Sequence, residues 1–317
     1  MPVSVGAGRL RPVPSSAAQQ VPSPAVGVVV RPQQPPEALR EHATAAEEAG
    51  AHELWLWEDC FWAGGLTSSA LALAWTSRIS VGLGLMPVPL RNAALTAMEV
   101  AALARAFPGR FLPGVGHGVL DWMGQVGARE ASPMTLLREH LEALAPLLRG
   151  ERVEVDGRYV HLDGVQLDHP PLVVPPVLVG ARGPKTLALA GERGGGVILD
   201  AGPSPEQVAE AVGHTGRAGD AAFHVVVFVP SAVGEGARER IDVEADGWGN
   251  HRPAAPLVGS PEEVAALVRS YGEAGATSVV LQPVGDGSDA LDVVRLAGAV
   301  AGLVRGAGSP SGSGSDI

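Results

Sequence analysis

Residues 175–200 read PPVLVGARGPKTLALAGERGGGVILD. A short apolar run ends at Gly180. A loop with two glycines, an arginine and a proline follows, a helical pattern starts at Pro184, and a second apolar run closes the stretch. This is one strand–loop–helix–strand unit, with glycine and proline at its boundaries. Alone, the GARGPK turn suits a dinucleotide fold, a nucleotide-triphosphate loop, a barrel's phosphate pocket or a bare tight turn. Its place in the chain separates these. Upstream, AVGVVV (25–30), ELWLW (53–57), RISVGLGL (78–85) and RFLPGVG (110–116) read as strands, the first three each followed by a helical pattern. The stretch itself supplies strands five and six, and FHVVVFV (223–229) and ATSVVLQPV (276–284) supply seven and eight. Eight βα units predict an α/β fold, a (β/α)8 TIM barrel over residues 25–306. The rhythm breaks only after strand four, where an insertion of about 117–175 is expected. It holds one clear helix from Ser132 (N-cap) and Pro133, then a hairpin pattern around Asp156-Gly157. A doubly wound sheet would carry its glycine fingerprint on the first βα turn, and VVVRPQQPPE has no glycine pair.

Composition bounds the function. The 317 residues are 46% hydrophobic with a net charge of −11, which argues against binding nucleic acid or an anionic membrane surface. One cysteine, Cys60, rules out a disulfide framework and a cysteine zinc site. No apolar run reaches the ~18 residues of a membrane span. The Pro/Ser/Ala-rich residues 1–24 read as a disordered lead-in and 307–317 as a flexible tail, so a cytoplasmic protein is expected. Abundant Gly, Ala and Pro with little Lys fits a high-GC, actinobacterial type of source.

In a barrel the chemistry sits at the carboxyl ends of the strands. Strand two ends in WEDCFW: Glu58 and Asp59 are paired carboxylates beside Cys60 and Trp62, suited to acid–base work or to binding a ring, or else a solvated acidic rim. Strand three ends at Leu85, Met86 and Pro87, after two glycines that imply close approach of a backbone or a flat ligand, and Met86-Pro87 admits a cis peptide. Strand four ends in Gly116-His117-Gly118; His117 is either catalytic or a hydrogen-bonded structural residue, and no second His stands at metal-ligand spacing. After strand five, Gly180, Ala181, Arg182 and Gly183 can aim N–H groups at an anion, with Pro184 opening the helix and Lys185 adding charge. The other reading is a turn that needs glycine for its φ angles. Cys60 lacks a paired base as a nucleophile, and no nucleophile elbow or zinc-protease motif occurs. Few side-chain catalysts beside an anion cradle suggest that a cofactor carries the chemistry.

The stretches HATAAEEAGAHELWLWEDCFWAGG, RISVGLGLMPVPLRNAALTAMEVAALARAFPGRFLPGVGHG, SPMTLLREHLEALAPLLRGERVEVDGRYVHLDGVQL and PPVLVGARGPKTLALAGERGGGVILD resemble the bacterial luciferase-like family, in its coenzyme F420-dependent branch of methylenetetrahydromethanopterin reductase-like proteins. The resemblance spans about 25–304. It implies hydride transfer between C5 of the deazaflavin and a small-molecule substrate, with reduction of an activated C=C or C=N or oxidation of an alcohol. It implies a bulge with a non-prolyl cis peptide near Leu85-Met86-Pro87, kept here by a cis-Pro or altered. It also implies an acidic or histidine residue by the ring at Glu58-Asp59, a ring border at Gly116-His117-Gly118, and a phosphate site at Gly180 to Lys185. Cys60, Trp62 and Trp122 then line a substrate pocket. The family's sugar-phosphate dehydrogenases carry a glutamate where Val119 stands, which argues against that activity. Two alternatives remain at this point: an FMN-dependent monooxygenase using O₂, and a catalytically silent cofactor-binding member. Family members are often homodimers.

Overall fold

The computed structural model describes residues 23–247 and 253–306. The expected lead-in, apart from residues 23 and 24, and the expected tail lie outside them.

Eight parallel strands close into a barrel: β1 (Ala25–Val30), β2 (Glu53–Leu56), β3 (Ser80–Pro87), β4 (Phe111–Gly116), β7 (Leu178–Gly180), β8 (Gly196–Leu199), β9 (His224–Ser231) and β10 (Ser278–Pro283). β1 pairs with both β2 and β10, which closes the ring. The outer layer is α1 (Leu39–Ala49), α2 (Gly65–Trp75), α3 (Ala93–Ala106), α5 (Pro133–Leu148), α6 (Pro184–Arg193), α7 (Pro205–Thr215), α9 (Pro261–Glu273) and α10 (Ala290–Gly306). Between β4 and β7, the helix α5 packs against α3 and α6 as a barrel helix. The additions there are the short α4 (Leu120–Gln125) and the antiparallel hairpin β5 (Val153–Asp156) and β6 (His161–Val165). The polar segment after strand seven contains a helix the sequence pattern did not show, α8 (Ala237–Gly247). No helix among the described residues is long and apolar enough to cross a membrane.

Local chemistry sets the helix ends. Ser204 and Ser260 close capping boxes with Gln207 and Glu263, and a proline follows each as first helical residue. Gly50 ends α1 at φ 87°, a left-handed conformation that costs glycine little. Ser132, expected to cap α5 through its side chain, instead pairs its hydroxyl with Thr135 Oγ1 at 2.8 Å, and Tyr159 Oη on the hairpin accepts its N–H.

Two apolar layers result. The larger lies between strands and helices; the smaller fills the barrel with Val29, Trp55, Leu178, Ile198, Val226, Phe228 and Val280. Trp55 meets Phe228 edge-on at 5.4 Å, and its indole N–H donates to the buried Glu53 at 2.7 Å. Glycine makes this possible. A Cβ on Gly82 would stand 2.4 Å from the Trp55 ring, and one on Gly84 2.9 Å from Phe228. β3 then shifts register against β4 between Leu83 and Met86. The cis peptide of this region is Gly84–Leu85, so the expected place for it, Met86–Pro87, is corrected; a second cis bond joins Cys60 and Phe61.

Glycine contacts also separate two positions on neighbouring helices. A Cβ at Gly191 would lie 1.8 Å from the Thr215 carbonyl oxygen, whereas Gly213 in α7 has nothing within 4 Å. Gly191→Ala is expected to destabilise the chain by about 3 kcal/mol or more, and Gly213→Ala to stabilise it by up to about 1 kcal/mol, in urea unfolding. Equal effects of the two substitutions would contradict this packing of α6 on α7.

Candidate functional site

The carboxyl ends of the strands open at one mouth. The ladders pair Val30 with Leu56, Leu56 with Leu83, Pro87 with Gly116, and Gly180 with Ile198. The residues just beyond these, Arg31, Glu58, Asp59, His117, Arg182 and Asp200, therefore ring one opening.

Its floor is walled by glycine. Leu85 leaves β3 at the register shift and lies over β4 and β7. A Cβ on Gly116 would stand 2.5 Å from Leu85 Cδ2, and one on Gly180 2.2 Å. The space over both glycines is taken by Leu85, which is itself half-exposed and forms the surface of the floor. Met86 and Pro87 are buried beneath. Gly116 and Gly180 thus make room for Leu85 as the first consequence of being glycine.

The two adjacent carboxylates do different things. Glu58 Oε1 is ion-paired with Arg91, whose Nε also lies 3.5 Å from Glu99, and Glu58 Oε2 accepts the Gly65 N–H at 2.9 Å. Both its oxygens are occupied in holding the β2–α2 loop to α3. Asp59 is the one with its carboxyl uncommitted: burial pushes its pKa up to about 6, with the Arg31 charge pulling down and the Asp200 charge pushing up again. Arg31 is itself held by Glu244 at 2.9 Å. Burial, Glu58 and Asp59 together raise the Cys60 pKa, so Cys60 is a thiol and not a thiolate.

Buried polar atoms at the mouth without a hydrogen-bond partner among the described residues include Nδ1 of His117, Nε of Arg31 and Nε1 of Trp57, whose ring lies 5.8 Å from Phe228. Burial holds the His117 pKa below its usual value, the Pro133 carbonyl partly opposing this, so its ring is neutral at pH 7. Unpaired buried groups of this kind are expensive unless something else bonds them.

On the opposite side is the GARGPK turn. The Ala181 N–H is taken by the Ile198 carbonyl at 3.2 Å, and the Arg182 guanidinium is clamped on Asp200 by bonds of 2.7 and 2.6 Å. Asp200 leads into Ala201, which has a φ of 66°, and that turn aims it at Arg182. The N–H groups of Arg182, Gly183 and Lys185 find no acceptor among the described residues, and Gly183 faces open space at the head of α6. Lys185, exposed in the first turn, is the only lysine in the sequence. Open N–H groups, a helix N-terminus and one ammonium fit an anionic tail; the glycine floor and the orphaned His117 and Trp57 atoms fit a flat, polar-edged ring. The residues present therefore fit a tricyclic cofactor with a phosphate.

Trp62 and Trp122 meet edge-on at 6.3 Å, joining the β2–α2 loop to α4 at the rim. Arg31, Trp57, Arg91 and Asp200 were not singled out from sequence; reading the residue beyond every strand would have found Arg31, Trp57 and Asp200. Cavities of about 270 Å³ (beside Arg91, His140 and Tyr159) and about 460 Å³ (beside Arg240, Glu244 and Gly285) touch neither Asp59 nor His117.

Comparison with known proteins agrees with this architecture. The family model described as luciferase-like monooxygenase matches residues 16–250. The 5,10-methylenetetrahydromethanopterin reductase of Methanolobus tindarius is 31% identical over 176 residues, 55% of this chain and 53% of that one. An F420-dependent hydroxymycolic acid dehydrogenase of Mycobacterium tuberculosis is 32% identical over 220 residues, 62% of this chain and 60% of that one. The chain thus spans little more than half the length of these relatives. In fold it is similar to the coenzyme F420-dependent tetrahydromethanopterin reductase of Methanopyrus kandleri: TM-score 0.74 at 22% identity, over 87% of this chain and 97% of that one. With its closed eight-stranded barrel and a family model matching well over half its length, the chain belongs to the luciferase-like monooxygenase family.

Proposed function

We propose that this chain is an F420-dependent oxidoreductase that moves a hydride between the deazaflavin and a small organic substrate. The observation that carries the reading is Asp59, a carboxyl poised near neutrality at the mouth of a barrel whose floor is Leu85 laid over Gly116 and Gly180. The F420 named in the description of one relative supports the choice of cofactor. When bound, F420 supplies hydride donation or acceptance at C5 of its ring.

The chain's own residues have three tasks. The Arg182, Gly183 and Lys185 N–H groups, with the Lys185 ammonium, hold the phosphate. Leu85 and the glycine floor set the depth at which a ring can lie, and the Trp57 N–H and His117 Nδ1 are available to its polar edge. Asp59 gives or takes the proton that accompanies the hydride, since a pKa near the working pH suits either direction. Glu58 acts on this through position: held by Arg91 and the Gly65 N–H, it fixes the loop that presents Asp59. FMN also has a tricyclic ring and a phosphate, so the cradle alone admits the monooxygenase reading, and a silent cofactor binder would need no Asp59 at all.

Spectral titration separates these. F420 is expected to bind tightly and FMN at least tenfold more weakly; tight FMN binding without F420 affinity would sink the proposal. Because Lys185 is the only lysine, amine acetylation followed by peptide mass spectrometry reads the cradle directly. Saturating F420 is expected to protect Lys185, and Gly183→Asp to weaken F420 binding about tenfold or more by setting a carboxylate against the phosphate. An unprotected Lys185 with F420 bound would move the phosphate elsewhere.

Asp59 makes a prediction about stability. Its carboxyl binds a proton more tightly in the folded chain than in the unfolded one. Stability from this group is therefore full below the unfolded pKa of about 4 and is lost as pH rises through about 6. Asp59→Asn is expected to stabilise the chain by about 2 kcal/mol at pH 7.5 and not at pH 4, while removing the limb near pH 6 from the kcat profile. A pH-independent gain would mean that Asp59 does not titrate there.

A further inference from the structure

Large apolar side chains collect on one side of the mouth. Phe61 is 62% exposed and Trp62 50%, and Val119, Leu120 and Val126 are also exposed. The Trp62–Trp122 contact joins the two groups, because Phe61 precedes Trp62 in the β2–α2 loop while Leu120 and Trp122 share α4. Scattered exposed apolar residues mean little, but several on two elements joined by an indole–indole contact, one of them the loop that carries a candidate catalytic carboxyl, mark a binding surface.

The charges around it define what it binds. The arginines at the strand ends are already matched: Arg31 with Glu244, Arg91 with Glu58 and Glu99, and Arg182 with Asp200. Lys185 lies across the mouth at the head of α6, in the cradle. Of the carboxyls at this opening, Glu58 and Asp200 are matched by Arg91 and Arg182 and only Asp59 has no ion pair among the described residues, so a phosphorylated substrate would meet one carboxyl and no unmatched strand-end cation.

We infer that the substrate of this site is an uncharged molecule with a planar apolar body, seated on Phe61, Trp62 and Trp122 with its reactive carbon toward Asp59. This rests on the oxidoreductase reading and names its substrate class: aromatic or conjugated, and not a sugar phosphate or a polyanion. Trp62 and Trp122 are the specificity-determining residues. Edge-to-face indoles offer a ring both a face and an edge to stack on.

Calorimetry on the full chain tests this with two probes, 2-naphthol and 1-naphthyl phosphate, each with and without F420. The expected result is saturable binding of 2-naphthol, at least tenfold tighter than naphthyl phosphate, and an affinity lowered about tenfold by Trp62→Ala or Trp122→Ala and largely restored by Trp62→Phe. Circular dichroism checks that each variant keeps its fold. Naphthyl phosphate binding as tightly as 2-naphthol would overturn the inference, as would an unchanged 2-naphthol affinity in both tryptophan variants. So would sedimentation showing a second copy of the chain over the patch, released by Trp62→Ala. Failure of F420 to bind, with the naphthol result intact, would count against the cofactor and leave the patch's preference standing. Failure of naphthol with F420 bound would count against the substrate class alone.

Discussion

Five glycines between the barrel's interior and its mouth have no room for a Cβ. Gly82 and Gly84 face Trp55 and Phe228, Gly114 faces the Leu83 carbonyl and Ile198, and Gly116 and Gly180 face Leu85. The two large rings fill the interior and seal it below the mouth. Leu85 then rests across two strands because neither offers it a side chain. An alanine at any of the five would push a packed ring, an aliphatic side chain or the β3 backbone out of place, and a dense interior does not absorb such a shift locally. The residue type that lets the barrel close around its aromatic core at Gly82 and Gly84 thus also lets Leu85 lie across its carboxyl end at Gly116 and Gly180. Stability and site come from one constraint.

Above that floor the electrostatics are divided between two neighbours in sequence. Glu58 has an arginine and a backbone N–H to satisfy it. Asp59 has only Arg31 at longer range, already shared with Glu244, and Asp200 opposing. One carboxylate is therefore a fixed structural anion and the next a group that changes charge near neutral pH. Adjacent residues in an extended loop point to different sides, so chemically similar side chains in sequence reach dissimilar surroundings.

How much of this was legible follows the range of the interactions involved. The strands were visible because buried parallel strands are continuous apolar runs, and the outer helices because caps, prolines and 3.6-residue periodicity are local. α8 was missed because ARERIDVEADG has too little apolar character to show a buried face, and α4 because six residues make no periodic pattern. The mouth residues of β2, β4 and β7 were found from position alone. Their division of labour was not, since the Glu58–Arg91 and Arg182–Asp200 pairs join segments 33 and 18 residues apart. The cis peptide was sought at Met86–Pro87, where local chemistry favours one. It lies at Gly84–Leu85, where only the packing around β3 locates it.

The mouth has two unlike walls. Toward β7 and α6 are open N–H groups, a helix N-terminus and the chain's single lysine. Toward the β2–α2 loop and α4 are exposed aromatic and aliphatic side chains. A ligand with an anionic tail gains at the first wall and meets no matched charge at the second; an uncharged ring gains at the second and leaves the first unsatisfied. Two different molecules side by side satisfy both walls better than one can alone. The division of the mouth arises from where the chain's single lysine and the Trp62–Trp122 pair were placed.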